Sequence, residues 1–572
     1  MYFNSQGKEE VTYDAIVVGS GISGGWAAKE LTEKGLKTIV LERGRMIKHG
    51  DYPTASKDPW DFEYRGRLPQ EVIDKDYPKQ NRTGYTTAEA HVHHFVKDSE
   101  HPYNEVKRFD WMRGYQVGGR SLVWGRQSYR LSPMDFEANG KEGVAVDWPI
   151  SYQDLAPWYS YAERFAGISG SKEGLKQLPD GEFLTPFDLN CVEKTAKERI
   201  EKAFPERNLI IGRTAHLSEP NPEIHQGRGQ CQTRNRCMRG CPYGAYFSSN
   251  SATLPAAERT GNLTIRPFSI VASILYDKET GKATGVQVID TETKETHEYY
   301  AKVIFLCASA VHSAKILMQS KSDAFPDGIG ASSGELGHNL MDHHFRLGAS
   351  GRFDGYEDQY YKGRRPTGFY IPRFRNISAD TKMPFLRGYG YQGSASRTNW
   401  SRGIAELDAM GADLKAKLMD PGYWRMGMTA FGECLPYHEN KMMLDYDKLD
   451  DWGLPTVTFD AEWKENEMEM RKDMTAAAAE MLEAAGFKDV QEYDAGSWPG
   501  LGIHEMGTAR MGRDPKTSVL NKWNQVHEVP NVYVTDGAAM TSAGCQNPSL
   551  TYMALTARAA DHAVKELKKM NM

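Results

Sequence analysis

Cysteine is scarce in this chain, with seven in 572 residues, and the count is odd. An odd count leaves at least one thiol unpaired, and so sparse a set argues against a disulfide framework and for a reducing compartment. Long apolar runs are missing as well. No stretch approaches the roughly 18 to 20 residues a membrane-spanning helix needs, so direct membrane insertion is not expected. Nor is there an excess of one charge: 70 Lys and Arg face 76 Asp and Glu, a formal net charge of -6. That balance offers no basic footprint for nucleic acid or an anionic membrane, and a small-molecule substrate is the partner class that remains. The opening "MYFNSQGKEEVTYDA" has no basic region followed by an apolar core. The expected location is therefore the cytoplasm, with the periplasm reached only by co-export with a signal-bearing partner.

The chain is too long for one ordinary core, so it holds several domains or one interrupted by another. From Tyr13 the sequence reads "YDAIVVGSGISGGWAAKELTEKGLKTIVLERG". An apolar run, a glycine turn, a helical stretch closed by Gly35 and a second apolar run ending in an acid make a βαβ unit. Gly19, Gly21 and Gly24 form G-x-G-x-x-G, and Glu42 follows about twenty residues on, as the dinucleotide fingerprint expects. The first glycine permits the tight turn, the second lets backbone approach a pyrophosphate, and the third lets helix and strand pack closely. The helix start then faces the phosphates with free N–H groups. Glu42 can accept from ribose hydroxyls, which argues against a 2′-phosphate and hence against NADP; the motif does not separate FAD from NAD.

Downstream, 51–110 reads as long loops, and "NLTIRPFSIVASILYDKETGKATGVQVIDTETKETHEYYAKVIFLCAS" as short strands ending in a buried one at Val303 to Leu306. From Gly351 to Pro421, glycines and aromatics (Tyr356, Tyr360, Tyr361, Phe369, Tyr370, Tyr389, Tyr391, Trp400) alternate with charges, as in a second, sheet-containing domain. Those rings could stack on a pyranose or simply cover the sheet. "EWKENEMEMRKDMTAAAAEMLEAAGF" is an amphipathic helix with a glycine stop.

Three segments add chemistry. "RGYQVGGRSLVWG" sets the pair Gly118 and Gly119 beside Ser121, suited to backbone passing close to a flat ring. "GIHEMGTARMG" supplies His504, and "VYVTDGAAMTSAGCQNPSLTYMALTARAA" supplies Asp536, Gly537 and Asn547. Together with "DWPISYQDLAPWY", "RCMRGCPYGA" and "ELGHNLMDHH", these resemble the glucose-methanol-choline family of flavin oxidoreductases, from about Tyr13 to Ala560. The subgroup they are most similar to contains pyranose oxidases and the large subunits of bacterial sugar and glucoside dehydrogenases. The resemblance implies an α/β fold, with a Rossmann-type FAD-binding domain built from discontinuous segments. It also implies an α+β substrate domain with an antiparallel sheet. The expected division is 1–150, 251–345 and 491–572 for the FAD domain, 151–250 for a connecting, cysteine-containing segment, and 346–490 for the substrate domain.

Oxidising a secondary alcohol needs a base for the hydroxyl proton while the carbinol hydrogen leaves as hydride, and histidine titrates in the right range. The resemblance implies that His504 takes that proton, that Asn547 donates to the developing alkoxide, and that the hydride passes to flavin N5. It further implies FAD contacts from Asp536, Gly537 and the backbone of Val271. The implied activity is that of a dehydrogenase acting on a sugar or glucoside, at C3 of a pyranose. On the residues alone, His504 could equally be structural and Asn547 a helix cap. Two departures stand out. Val123 precedes Trp124 where pyranose oxidases carry a histidine that attaches FAD, so the FAD is expected to be non-covalent. Ser309 stands where the family often has glycine.

Cys231, Cys237 and Cys241 share one short segment. Three thiolates suit a 3Fe-4S cluster. A zinc site would need His225 and a spacing the segment lacks, and incidental thiols are the third reading. Similar segments occur in FAD dehydrogenases that pass electrons through such a cluster to a cytochrome c, often with a small subunit. Asp342, His343 and His344 could suggest a metal, but their segment resembles one lying near the flavin. Arg113, Arg120 and Arg126 could meet cofactor phosphates or acids, without a decision from sequence.

Overall fold

The computed structural model describes residues 12–361, 363–399 and 407–569, so Trp400 lies outside the described residues. The apolar run before the glycine turn forms the strand Thr12–Val18, and the run after the helix Ile22–Glu33 forms Thr38–Leu41. Both read as continuous apolar runs because they lie in parallel within a sheet covered on two faces. Ala15 pairs with Thr38 and Val18 with Leu41. Leu263–Arg266 extends the sheet on one side, and the long strand Thr296–Leu306 on the other, both in parallel.

Thr296–Leu306 serves two neighbours along one edge. Its first half pairs antiparallel with Lys282–Asp290, which pairs onward with Ser269–Asp277; its last residues pair in parallel with Val532–Val534. Asn531 stands at the change-over. Its Oδ1 accepts from the Ala283 amide at 3.0 Å, and its Nδ2 donates to the carbonyls of Ala283 and Lys302 at 2.7 and 3.0 Å. The tail of the chain thus completes the sheet begun at its head, and the last helix, Ser549–Lys568, packs on Ile22–Glu33.

A second sheet is antiparallel throughout, in the spatial order Lys488–Asp494, Leu347–Phe353, Trp424–Gly432, Tyr389–Arg397, Phe369–Ile371, Ile210–Ile211. It draws in strands from before residue 251 and from across residue 490. The helix Glu465–Ala484 covers one face: Met470, Met474, Ala477, Ala478, Met481 and Leu482 recur at helical spacing and are buried, and Gly486 turns the chain away at φ +82°. Tyr389 and Tyr391 belong to that packing, and Tyr370 stacks on Tyr129 at 3.9 Å, so these rings cover sheet rather than face a ligand. The fold is the expected α/β architecture, with a mixed, largely parallel sheet and a separate antiparallel one.

The Ser309 departure has a backbone reason to matter. Ser309 precedes the helix Ala310–Gln319 at φ +83° and ψ 158°, a region occupied almost solely by glycine, where a side chain costs about 1–3 kcal/mol. Glycine's own entropy cost offsets about 0.5–1 kcal/mol of that relief. Ser309→Gly is therefore expected to raise the midpoint of urea unfolding, and a lowered midpoint would count against strain at this turn.

Candidate active site

A cavity of about 950 Å³ is lined by residues from both sheets and from the C-terminal segment. At one end lies the glycine turn. Gly19 has φ +90°, and a side chain there would meet the Cys307 carbonyl. A Cβ on Gly24 would sit 1.9 Å from the Gly19 carbonyl oxygen, which is how closely helix and turn pack. Gly21 is different: a Cβ would meet no protein atom within 4 Å, and the residue lines the cavity. Glu42 closes this end. Its Oε2 accepts from the Ser20 amide at 3.1 Å and the Ser20 hydroxyl at 2.6 Å, and its Oε1 from the Gly44 amide. Burial pushes its carboxyl above the ordinary range.

Ser20 also accepts from the Gly118 amide at 2.9 Å, tying the first turn to the glycine pair. Gly118, at φ +94°, leaves room for Asn250, whose Oδ1 would lie 1.7 Å from a Cβ. Gly119, Ser121, Val271, Asp536 and Gly537 line the cavity; Gly24 and Gly118 stand behind its wall. Asp536 accepts from Ser313 Oγ and the Ala538 amide, and burial pushes it up to about 6. An open glycine, a helix start and a ribose-reading acid at one end of a long cavity fit a dinucleotide cofactor.

His504 and Asn547 line the same cavity. The His504 loop is clamped: Asp342 accepts from the amides of Gly502 and His504 at 2.8 and 3.0 Å. Between them Ile503 sits at φ +60°, a strained conformation for a β-branched residue, so the clamp holds the loop against its own preference. Burial, with Glu505 nearby, pushes Asp342 up to about 7. Glu505 in turn takes a two-pronged ion pair from Arg120 at 2.8 and 3.1 Å, which joins this loop to the glycine pair.

The tautomer of His504 follows from its partners. His343 is fully buried, with Nε2 2.7 Å from the Gly544 carbonyl and Nδ1 2.8 Å from Nδ1 of His504. A carbonyl only accepts, so Nε2 of His343 carries its proton. Burial holds His343 down at about 4, hence neutral, and its Nδ1 is bare. His504 must then donate from Nδ1. Burial, with His343 and Arg120 nearby, holds His504 well below the usual 6.5, so its Nε2 is the bare nitrogen. Asn547 is oriented too: its Oδ1 accepts from Gln392 at 2.6 Å, which leaves its Nδ2 as the group able to donate into the cavity.

His343, Asp342 and Gln392 are functional groups that the sequence reading did not assign to these roles. A signal existed for the first two, in "NLMDHH", but not for the direction in which each side chain points. His344 turns away, 5.5 Å from the Trp463 ring. Of the aromatics between Gly351 and Trp424, Tyr361 and Trp424 line the cavity.

The cysteines do not meet the metal-centre expectation. Among the described residues no group of three or more His, Cys, Asp or Glu is placed to hold a metal ion, and Cys231, Cys237 and Cys241 are free thiols. Local backbone sets them apart in role: the Cys231 amide bonds the Leu217 carbonyl, while Cys237 opens a 3-10 turn and points its Sγ at His216, 3.7 Å away. His225 is occupied by the Asn221 amide and the Arg164 carbonyl. A 3Fe-4S cluster thus finds no support here.

Two sequence models of the GMC oxidoreductase family match, the N-terminal one over residues 13–345 and the C-terminal one over 436–556. The chain is 29% identical to the 2-methyl-1,2-propanediol dehydrogenase of Mycolicibacterium austroafricanum, over 96% of this chain and 94% of that protein. It is 26% identical to the fructose dehydrogenase large subunit of Gluconobacter japonicus, over 98% and 99%. Among solved structures, pyridoxine 4-oxidase from Mesorbium loti shares the fold with a TM-score of 0.58 at 15% identity, over 96% and 98% of the two chains.

Proposed function

Because this chain belongs to the GMC oxidoreductase family, we propose that it is an FAD-dependent dehydrogenase that oxidises a secondary alcohol of a sugar or glucoside, at C3 of the pyranose, to the ketone. The observation that carries the reading is the bare Nε2 of His504, fixed by His343, in one cavity with the Asn547 amide and the glycine turn. The Gly19 to Gly24 turn would hold the pyrophosphate of FAD and Glu42 its ribose. Gly119 and Ser121 would flank the flat ring, Val271 the adenine, and Asp536 and Gly537 the phosphate and ribityl chain. With Val123 before Trp124, the binding is non-covalent. Bound there, FAD supplies the two-electron oxidant for the carbinol carbon.

The chain's own residues do the rest. Nε2 of His504 takes the hydroxyl proton, and the charge that develops on its ring is shared with His343 and the Gly544 carbonyl. Asn547, steadied by Gln392, donates to the substrate oxygen as it gains negative charge. Electrons then leave to an acceptor or to a partner subunit with a cytochrome c; the relative from Gluconobacter japonicus is itself a large subunit. The site of action is the cytoplasm unless such a partner carries the export signal.

A panel of pyranosides with an artificial acceptor, read by product NMR, tests the reading. A 3-keto product supports it, and turnover of simple diols without any pyranoside contradicts it. Fast peroxide formation with oxygen alone would instead favour an oxidase. The pH profile is a second check. With His504 held below 6.5, the acidic limb of kcat/KM is expected below that value, and a midpoint above it would contradict the assigned base.

A further inference from the structure

Among the described residues, one cation of the cavity wall, Arg126, is wholly buried with no hydrogen-bond partner for any of its three guanidinium nitrogens. Its backbone lies in the left-handed region at φ +64°, and its guanidinium sits 4.8 Å from the centre of the Tyr246 ring. The titratable groups that bear on the neighbouring Arg365 are Arg126, Cys237 and Tyr246, with no carboxylate among them. Both arginines line the cavity that holds His504 and Asn547.

Several other charges of that wall are already matched. Glu505 answers Arg120 and Glu193 answers Arg364, while Glu42 is bound by Ser20 and Asp536 by Ser313. A buried guanidinium without a counter-charge is costly, so an anion is the group this position is built to receive. A short series of contacts connects the segments of these arginines to the reacting end. Gln127 donates to the Thr367 carbonyl at 3.2 Å, Phe369 pairs with Gly393, and the adjacent Gln392 holds Asn547.

We propose that Arg126 and Arg365 receive a carboxylate carried by the alcohol substrate, which makes the substrate a uronoside, a pyranoside with a carboxylate in place of its CH2OH. This rests on the alcohol-oxidising reading above and narrows it. A planar guanidinium matches a carboxylate with two parallel hydrogen bonds, so the anchored acid would set which hydroxyl reaches His504.

Two matched pairs test it with the flavin-loaded protein at constant ionic strength: methyl α-D-galacturonide against methyl α-D-galactoside, and methyl β-D-glucuronide against methyl β-D-glucoside. Each pair differs only in carboxylate against CH2OH. Anaerobic flavin reduction is expected to favour the acid in at least one pair by about 10- to 100-fold, as a charge-assisted contact would. Arg126→Met should erase that preference, and Arg365→Met should lower it, which keeps the test alive if the first variant fails to fold. In parallel, acetate titrated against the oxidised flavin spectrum should give a saturable change in the wild type that weakens at least about tenfold in either variant. Equal or better use of the neutral member in both pairs, or an acid preference surviving in both variants, overturns the proposal. If no alcohol reduces the flavin but acetate binds with Arg126 dependence, the alcohol reading fails and the anion site stands. If acetate binding is absent too, both fail.

Discussion

Replacing His504 by alanine is expected to lower kcat by roughly 10² to 10⁴ while the protein stays yellow. The size follows from the role: the variant loses the group whose bare nitrogen is fixed for proton removal, and water must replace it in a buried cavity. Flavin retention follows from the framework. The Asp342 clamp on the loop uses backbone amides, and the Arg120–Glu505 pair joins the loop to the glycine pair, so neither depends on the imidazole. Rapid mixing with sugar separates this from the rival reading of a flavin-binding, electron-carrying subunit, for which turnover would be unchanged. Unaltered reduction of the flavin in His504→Ala would remove histidine from the chemistry.

The second large effect concerns the cofactor cradle, where two glycines of one motif should fail differently. Gly24→Ala places a methyl 1.9 Å from a backbone oxygen that cannot move without dragging the turn. Overpacking of this kind costs about 1–3 kcal/mol or more, and here it falls on the helix start proposed to face the phosphates. The variant should therefore lose both stability and flavin. Gly21→Ala meets no protein atom within 4 Å, and its φ of -66° suits any residue, so the fold should keep its stability. Its methyl would instead occupy the space where backbone must approach the pyrophosphate. Thermal unfolding of the flavin-free proteins, beside flavin content on purification, distinguishes the two. Full flavin in Gly21→Ala would contradict the assignment of that end of the cavity.

These contrasts show what local sequence carries. Gly19, Gly21, Gly24 and Glu42 lie within one βαβ unit, so their spacing already determines their geometry, and the structure puts each where the spacing implies. Family resemblance points to His504 and Asn547, and both reach the cavity wall. Their supports were not legible, because His343 lies 161 residues before its partner and Gln392 lies 155 before Asn547. Pairing at that range is decided by which strands share a sheet. The run Asp342-His343-His344 gave a signal for chemistry but not its kind. Adjacent side chains point apart, so one carboxylate clamps backbone, one imidazole sets a tautomer and the other packs on Trp463. The cysteine spacing is a weaker guide: burial raises the Cys231 thiol and Cys237 and Cys241 lie close enough to add to that rise, yet among the described residues no group of three or more ligands is placed to hold a metal. Among Arg113, Arg120 and Arg126, only the fold reveals that Arg120 is answered by an acid and Arg126 is not.

The most direct test of the account is anaerobic mixing of the purified protein with the sugar panel while its visible spectrum is followed. The account predicts a yellow protein whose flavin band bleaches with a hydroxylated sugar, leaving a ketone two hydrogens poorer and no change in the His504→Ala variant on the same timescale. A protein that binds no flavin, or whose flavin stays oxidised with every alcohol offered, would contradict it.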